Sequence, residues 1–190
     1  MIRKTKYNLQ HLSLYQSRAP SWLSNLIETI AEEVHVDIAD ELKLLAGKAL
    51  KKASDADIEQ ARHRVCFLRL ERLLEPLQSL DLGFLAAIRS AKDMHYKGKN
   101  NPWAWSEIHS KLNLDYLQEC NKLKVQDRFW AKAAIKTASY TQSSISESAV
   151  CYCVFRRATS HEPDLAWEDG WSEEVKALET VLNLLKGGKA

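Results

Sequence analysis

The sequence predicts an all-α fold, a single-domain bundle of six to eight helices. Glycine and proline are scarce, with six glycines and four prolines in 190 residues. No glycine or proline occurs between Pro102 and Pro163, and apolar residues in several segments recur at helical spacing. These observations favour long helices joined by few turns, and they disfavour turn-rich sandwiches and glycine-rich phosphate-binding folds.

The composition is that of a globular chain, with 45% hydrophobic and 27% charged residues. A chain of this length can bury a core without metals or disulfides. Residues 1–20 contain Arg3, Lys4, Lys6 and Arg18 and no acid, which predicts a basic N-terminal arm. Residues 21–190 are predicted to form a single helical domain. The net charge of +2 is too small to dictate a polyanionic partner.

The four cysteines are expected to be free thiols in a cytoplasmic protein. The first twenty residues lack the continuous apolar core of a secretory signal. Their basic, acid-free composition also resembles a transit peptide, although their apolar residues fit a helical stripe poorly. No run of eighteen apolar residues is present, so no membrane span is expected.

In the first quarter of the chain, two helices are predicted. Pro20 and Ser21 precede an apolar stripe that predicts a helix over residues 21–35. Asp40 is the expected cap of a second helix over residues 41–52.

Two further helices and a loop are predicted next. Ser54 and Asp57 resemble a capping box that opens a helix ending before Pro76. Residues 80–92 are predicted to be helical, and residues 95–103 contain the turn formers of a loop.

In the second half, helical pattern begins at Ser106 and continues through Leu117, Cys120 and Leu123. The last helix has one apolar face, an acidic start at Ser172–Glu174 and an end at Gly187–Gly188. That face consists of Trp171, Val175, Leu178, Leu182 and Leu185.

The hydroxyl-rich stretch 137–153 is predicted to be a helix contacted on two faces. One face consists of Ile135, Ala138, Ile145, Ala149 and Cys153. The other consists of Phe129, Ala133, Tyr140, Cys151 and Val154. The alternative is a strand over residues 149–155, which are rich in β-prone side chains.

No local pattern predicts catalysis, a metal site or a cofactor. The serines of the hydroxyl-rich stretch lack the neighbours of a nucleophile motif. Cys151 and Cys153 lack redox or zinc spacing. His161–Asp164 begins like a metalloprotease motif, but Pro163 prevents the continuous helix that such a motif needs. We therefore expect no catalytic residues, no metal ligands and no cofactor.

Two groups of residues are predicted to bind a partner. Arg62, Arg69 and Arg72 fall on one helical face and could hold phosphates or an acidic protein surface. The alternative is a solvated face, neutralised by nearby glutamates. The loop residues Tyr96, Lys97, Lys99, Trp103 and Trp105 combine binding-prone aromatic groups with cations. The alternative is that both tryptophans fold back to plug the bundle.

The expected function is that of a non-enzymatic protein-binding module, such as a stoichiometric inhibitor, an immunity-type protein or a subunit of a larger complex. The expected partner is another protein, and the sequence leaves the oligomeric state open. The first alternative is nucleic-acid binding through the basic face and aromatic loop. The second is an enzyme whose site is assembled from distant residues such as His109 and His161.

Overall fold

In the computed structural model, every regular element of the described residues is helical, which confirms the all-α class. The structure describes residues 2–34, 36–97 and 115–187. For residues 2–7, 36–37, 95, 115, 117 and 139–143 it describes the backbone alone. These parts of the chain contain nine α-helices and a 3-10 turn, Glu75–Leu77. The helices are α1 Ile2–Arg18, α2 Ser21–Glu33, α3 Val36–Leu50, α4 Asp55–Leu74, α5 Gly83–Tyr96, α6 Asp115–Asn121, α7 Val125–Ser143, α8 Ile145–Thr159 and α9 Pro163–Leu185.

The chain divides into two compact units, Met1–Val65 with Arg156–Ala190, and Cys66–Phe155. Their boundaries fall inside α4 and α8. The predicted single domain over residues 21–190 and the basic arm over residues 1–20 stay predictions.

In the first unit, α3 contacts α1, α2 and α9, and α2 also contacts α9. α1 crosses α3 closely, because a Cβ at Gly47 would lie 1.9 Å from the main-chain oxygen of His11. Arg18 then donates hydrogen bonds to the main-chain oxygens of Leu50 and Ala53. Arg18 of α1 thus caps the C-terminal end of α3 with a positive charge.

The predicted starts of α3 and α9 are wrong. α3 begins at Val36, so Asp40 lies inside it rather than capping it. The buried stripe of α3 already includes Ala39, and an acid in the first turns is favoured by the helix dipole. α9 begins at Pro163 rather than at Ser172, because proline suits the first turn of a helix.

The capping box of α4 is confirmed. The Asp57 carboxylate accepts the main-chain N–H of Ser54 at 2.8 Å, and the Ser54 hydroxyl accepts that of Asp57 at 3.2 Å. The next predicted helix starts three residues late, at Gly83, where the Glu119 carboxylate accepts the N–H groups of Gly83 and Phe84. α5 extends to Tyr96, so residues 95 and 96 are helical rather than loop. The rest of the predicted loop, from Gly98, and the start near Ser106 lie outside the described residues.

The hydroxyl-rich stretch is helical, and the strand alternative is wrong. It forms two helices rather than one, because Ser144 is not helical and separates α7 from α8. The Ser144 hydroxyl accepts the N–H of Glu147 at 3.2 Å and so caps α8. The Ser148 hydroxyl donates to the main-chain oxygen of Thr137 at 3.3 Å.

The two predicted faces of this stretch have different outcomes. The first face is confirmed, since all five of its side chains, at positions 135, 138, 145, 149 and 153, are buried. The second face is partly wrong: Ala133 is buried and Cys151 half-buried, but Phe129 and Val154 are exposed. The side chain of Tyr140 lies outside the description.

The end of the chain follows the predicted periodicity. Trp171, Leu178 and Leu182 of α9 are buried, whereas Val175 and Leu185 are half-buried. α9 ends at Leu185, and Gly187 follows with a φ of 83°, a conformation that favours glycine. Across the described ranges, no helix combines the length and the apolar composition that a membrane span requires.

Candidate functional site

A cleft of about 630 Å³ lies in the second unit, between the C-terminal half of α4 and α5. It is lined by Phe67, Leu70, Glu71, Arg72, Leu74, Glu75, Gln78, Ile88, Arg89 and Lys92. Its volume is within the range of pockets that hold a ligand or a partner side chain.

Apolar side chains line part of the cleft at helical spacing. On α4, Phe67, Leu70 and Leu74 repeat at three and four residues, and on α5 Ile88 faces them. Phe67, Leu70 and Ile88 are almost fully buried. These side chains belong to the core of the unit, so the apolar part of the cleft is held by packing. We call these four residues the cleft floor.

Charged side chains of both signs surround the floor. The Lys92 ammonium forms an ion pair with the Glu71 carboxylate. Arg89 donates a 3.2 Å hydrogen bond to the main-chain oxygen of Gln78, a neutral acceptor. With Arg72 and Glu75, the lining contains three cations and two carboxylates. The rim of the cleft therefore carries a small excess of positive charge.

Tyr96 lies one helical turn beyond Lys92, beside the cleft. Its ring is 6.5 Å from the Phe67 ring, centroid to centroid. The Lys92 nitrogen lies 5.7 Å from the Tyr96 centroid, within reach of a cation–π interaction. The Tyr96 hydroxyl is 3.5 Å from the Glu71 carboxylate. Tyr96 nevertheless remains 41% exposed.

The three predicted arginines do not share one exposed face. Arg69 is 0% exposed and donates a 3.0 Å hydrogen bond to the main-chain oxygen of Ile145. The prediction that three aligned guanidinium groups form one binding face is therefore wrong for Arg69, because its guanidinium group does not face solvent. Arg72 lines the cleft, with its guanidinium carbon 6.0 Å from the Tyr152 ring centroid. Arg62 belongs to the first unit and is bonded to Glu59 at 2.7 Å.

Of the predicted loop residues, the structure brings Tyr96 to the cleft and places Lys97 in an exposed turn directly after it. Lys99, Trp103 and Trp105 lie outside the described residues. Sequence reasoning missed Arg89 and Lys92, which precede Tyr96 by seven and four residues and so lie on the same side of α5. The sequence shows this spacing on α5, but it does not show which face of α4 lies across the cleft from these residues.

The thiols lie in environments that disfavour the thiolate. Burial raises the pKa of Cys120 to about 11, and burial also raises the pKa of Cys151. Cys66 and Cys153 are buried. Because the thiolate is the reactive form, these positions suit packing rather than nucleophilic chemistry.

Titratable groups do not assemble elsewhere in the described ranges into a site for metal. No group of three or more His, Cys, Asp or Glu side chains there could hold an ion. His161 is exposed in the first unit, and His109 lies outside the described residues.

Comparison with known proteins brought no relative: no family model, no curated protein and no solved structure matches this chain. A functional proposal therefore rests on the cleft and the surfaces of this chain itself.

Proposed function

We propose that the chain is a non-enzymatic protein-binding module. In this proposal the cleft between α4 and α5 holds a segment of another protein that contains an apolar anchor next to acidic residues. One observation carries the proposal: Arg72 and Tyr96, both selected from sequence as binding residues, lie at the same apolar floor. Arg72 lines the cleft, and the Tyr96 ring packs near Phe67 of the floor. A stoichiometric inhibitor, an immunity-type protein or a complex subunit would all use such a site.

The apolar floor supports a protein partner. Binding sites in proteins commonly combine a buried apolar centre with a polar rim. Tyr and Arg are enriched among the residues that contribute most to binding, and both occur here. An apolar anchor would contact Leu74, the half-buried member of the floor, whereas Phe67, Leu70 and Ile88 support it from the core.

The charges of the rim favour a partner that brings a negatively charged group to the cleft. Lys92 is already paired with Glu71, whereas the described hydrogen bond of Arg89 goes to a neutral carbonyl. A carboxylate of the partner can therefore approach Arg89 without displacing an ion pair. Arginine also binds carboxylates through two parallel hydrogen bonds, which gives direction as well as charge.

The test is site-specific photocrosslinking in the cells that make the protein. A photoreactive residue replaces Gln78, an exposed residue of the cleft, and in a matched control it replaces Gln118, an exposed residue of α6 that does not line the cleft. We expect a protein adduct from position 78, lost with Arg89→Glu, and none from position 118. Equal adducts from both positions, or none from position 78, would contradict the proposal.

Nucleic-acid binding is a second candidate, favoured by a cluster of cations in the first unit. Burial lowers the pKa of His11, and the nearby charges of Lys48 and Lys51 lower it further. Burial also lowers the pKa of Lys186, and Lys48 contributes again. Lys48 of α3, and Lys51 and Lys186 in the turns that follow α3 and α9, thus form one electropositive region, which suits a phosphate backbone. Binding of an oligonucleotide should then weaken steeply with salt, and a salt-independent signal would exclude this candidate.

A further inference from the structure

The outer side of the α7–α8 pair exposes a row of large apolar side chains. Phe129 of α7 is 58% exposed, and Val125, one turn earlier, is 67% exposed. Val154 of α8 is 51% exposed, and Val150, one turn earlier, is 36% exposed. We call these four residues the α7–α8 surface. Phe129 and Val154 were predicted from sequence to lie on a contacted face, but all four side chains are exposed, and no other described element of this unit covers them.

The two helices run antiparallel, which places the apolar ends together. The rings of Trp130 and Phe155 lie 4.8 Å apart, centroid to centroid. Further along, the Ser148 hydroxyl bonds to the Thr137 carbonyl. As numbers rise on α7 they fall on α8, so Phe129 and Val154, each next to one of the contacting rings, lie at the same end of the pair.

Charged side chains occupy the other end of the same outer rows. On α7, the exposed Lys132 and Lys136 continue the row of Val125 and Phe129 at helical spacing. On α8, the exposed Glu147 continues the row of the valines. The antiparallel register sets Lys136 and Glu147 at one level along the pair. The two lysines thus lie on α7 and the glutamate on α8, all toward the end of the pair away from Phe129 and Val154.

The apolar and charged residues along the two rows form a self-complementary pattern. A two-fold axis parallel to the helices would place α7 of one copy over α8 of the other at the same level. Phe129 would then meet Val154 of the second copy, and Lys136 would meet its Glu147. Such mutual contact between identical patches defines the isologous interface of a two-fold dimer. An acidic or basic partner helix would match only one of the two rows.

We propose that the chain forms a two-fold homodimer through the α7–α8 surface, with Phe129 against Val154 at its centre and Lys136 against Glu147 at its edge. The covered surface is separate from the α4–α5 cleft, so the proposal is independent of the partner of that cleft. Large exposed apolar side chains in a contiguous row are typical of interaction sites rather than of solvated monomer surface.

The test is sedimentation equilibrium of the full chain over a concentration series. We expect a reversible dimer that Phe129→Glu or Val154→Glu weakens at least tenfold, because each places carboxylates in an apolar contact. Leu9→Glu is the matched control: Leu9 of α1 is also highly exposed but lies outside the surface, and the dimer should persist. Lys136→Glu should weaken the dimer, and adding Glu147→Lys should restore it, because the swap re-creates opposite charges.

Three results would overturn the proposal. The wild type could sediment as a monomer at every concentration, including a case in which the surface binds another protein or a lipid vesicle instead. A dimer could persist unchanged in Phe129→Glu and Val154→Glu variants that circular dichroism shows to be folded. The charge swap could fail to restore association that Lys136→Glu had weakened.

Discussion

Two arginines of the second unit illustrate how burial separates a structural role from a binding role. Arg69 is fully buried and bonded to the carbonyl of Ile145, which ties α4 to the start of α8. Arg89 is exposed at the cleft and bonded to the carbonyl of Gln78. The same side chain thus stabilises the fold at one position and is available to a partner at the other.

Replacing Arg69 should therefore destabilise the protein far more than replacing Arg89. Arg69→Ala removes a buried hydrogen bond from a charged donor and leaves a cavity, so we expect a loss of about 3 kcal/mol in the free energy of unfolding. Arg89→Ala should change it by no more than about 0.5 kcal/mol. Urea denaturation of both variants measures the difference, and equal effects would contradict a structural role for Arg69.

The lowered pKa of His11 predicts that the stability of the first unit depends on pH. Burial, and then the charges of Lys48 and Lys51, lower its pKa below the ordinary value of 6.5. The unfolded chain therefore binds the proton more readily than the folded chain. The stability due to neutral His11 is complete above pH 6.5 and is lost as the pH falls from there through the lowered pKa.

The corresponding experiment compares the wild type with His11→Gln, which cannot titrate in this range. Between about pH 7.5 and pH 5.5, the wild type should lose more free energy of unfolding than the variant. Denaturant titrations at each pH provide the comparison. Parallel pH profiles would show that His11 has no such role.

The crossing of α1 over α3 shows how a helix pair can depend on a missing side chain. Glycine within a helix ordinarily costs about 1 kcal/mol relative to alanine, so Gly47 is unfavourable as a local choice. The structure supplies the reason, since a Cβ there would meet the main-chain oxygen of His11 at 1.9 Å. Backbone cannot move aside as the end of a side chain can.

We therefore expect Gly47→Ala to destabilise the protein by about 1–3 kcal/mol, opposite in sign to its effect on helix propensity. Gly83→Ala is the control, because its nearest neighbour is the flexible end of Glu119. Its cost should be smaller. Hydrogen exchange of α1 amides would locate the effect, and a stabilising Gly47→Ala would contradict the close crossing.

Most of the helices were predictable, because their start and stop signals are local. Ser54 with Asp57, and the apolar row of α2, needed no tertiary information. The start of α5 was misplaced because a distant residue decides it: the Glu119 carboxylate accepts the N–H groups there. The exposed Phe129 and Val154 were misjudged for a related reason: periodicity identifies an apolar face but does not show whether another element covers it.

At the scale of the whole molecule, only part of the candidate site was predictable. Arg72 and Tyr96 were selected from sequence, but that both lie at one cleft depends on how α5 is placed against α4. Arg69 was assigned to the same face because its helical spacing is right, and spacing does not reveal which side of a helix is buried. The predicted single domain raises a separate question, since two compact units share α4 and α8.

Because both unit boundaries fall inside continuous helices, we expect the two units to unfold together in one cooperative transition. All four cysteines lie in the unit Cys66–Phe155, and three of them are buried. Their reactivity in urea therefore reports on that unit, whereas far-UV circular dichroism reports on the whole chain. The two midpoints should coincide. Thiol exposure at lower urea, with helical signal retained, would show that the units unfold separately.

The central claim is that the α4–α5 cleft binds a protein partner through its cations and apolar floor. The most direct measurement is the dissociation constant of the crosslinked partner, once purified, for variants of the chain. Arg89→Glu should weaken binding at least tenfold, about 1.4 kcal/mol. Lys122→Glu reverses another exposed charge of the same unit outside the cleft and should leave the dissociation constant unchanged. An unchanged dissociation constant for Arg89→Glu, or equal weakening by both variants, would contradict the claim.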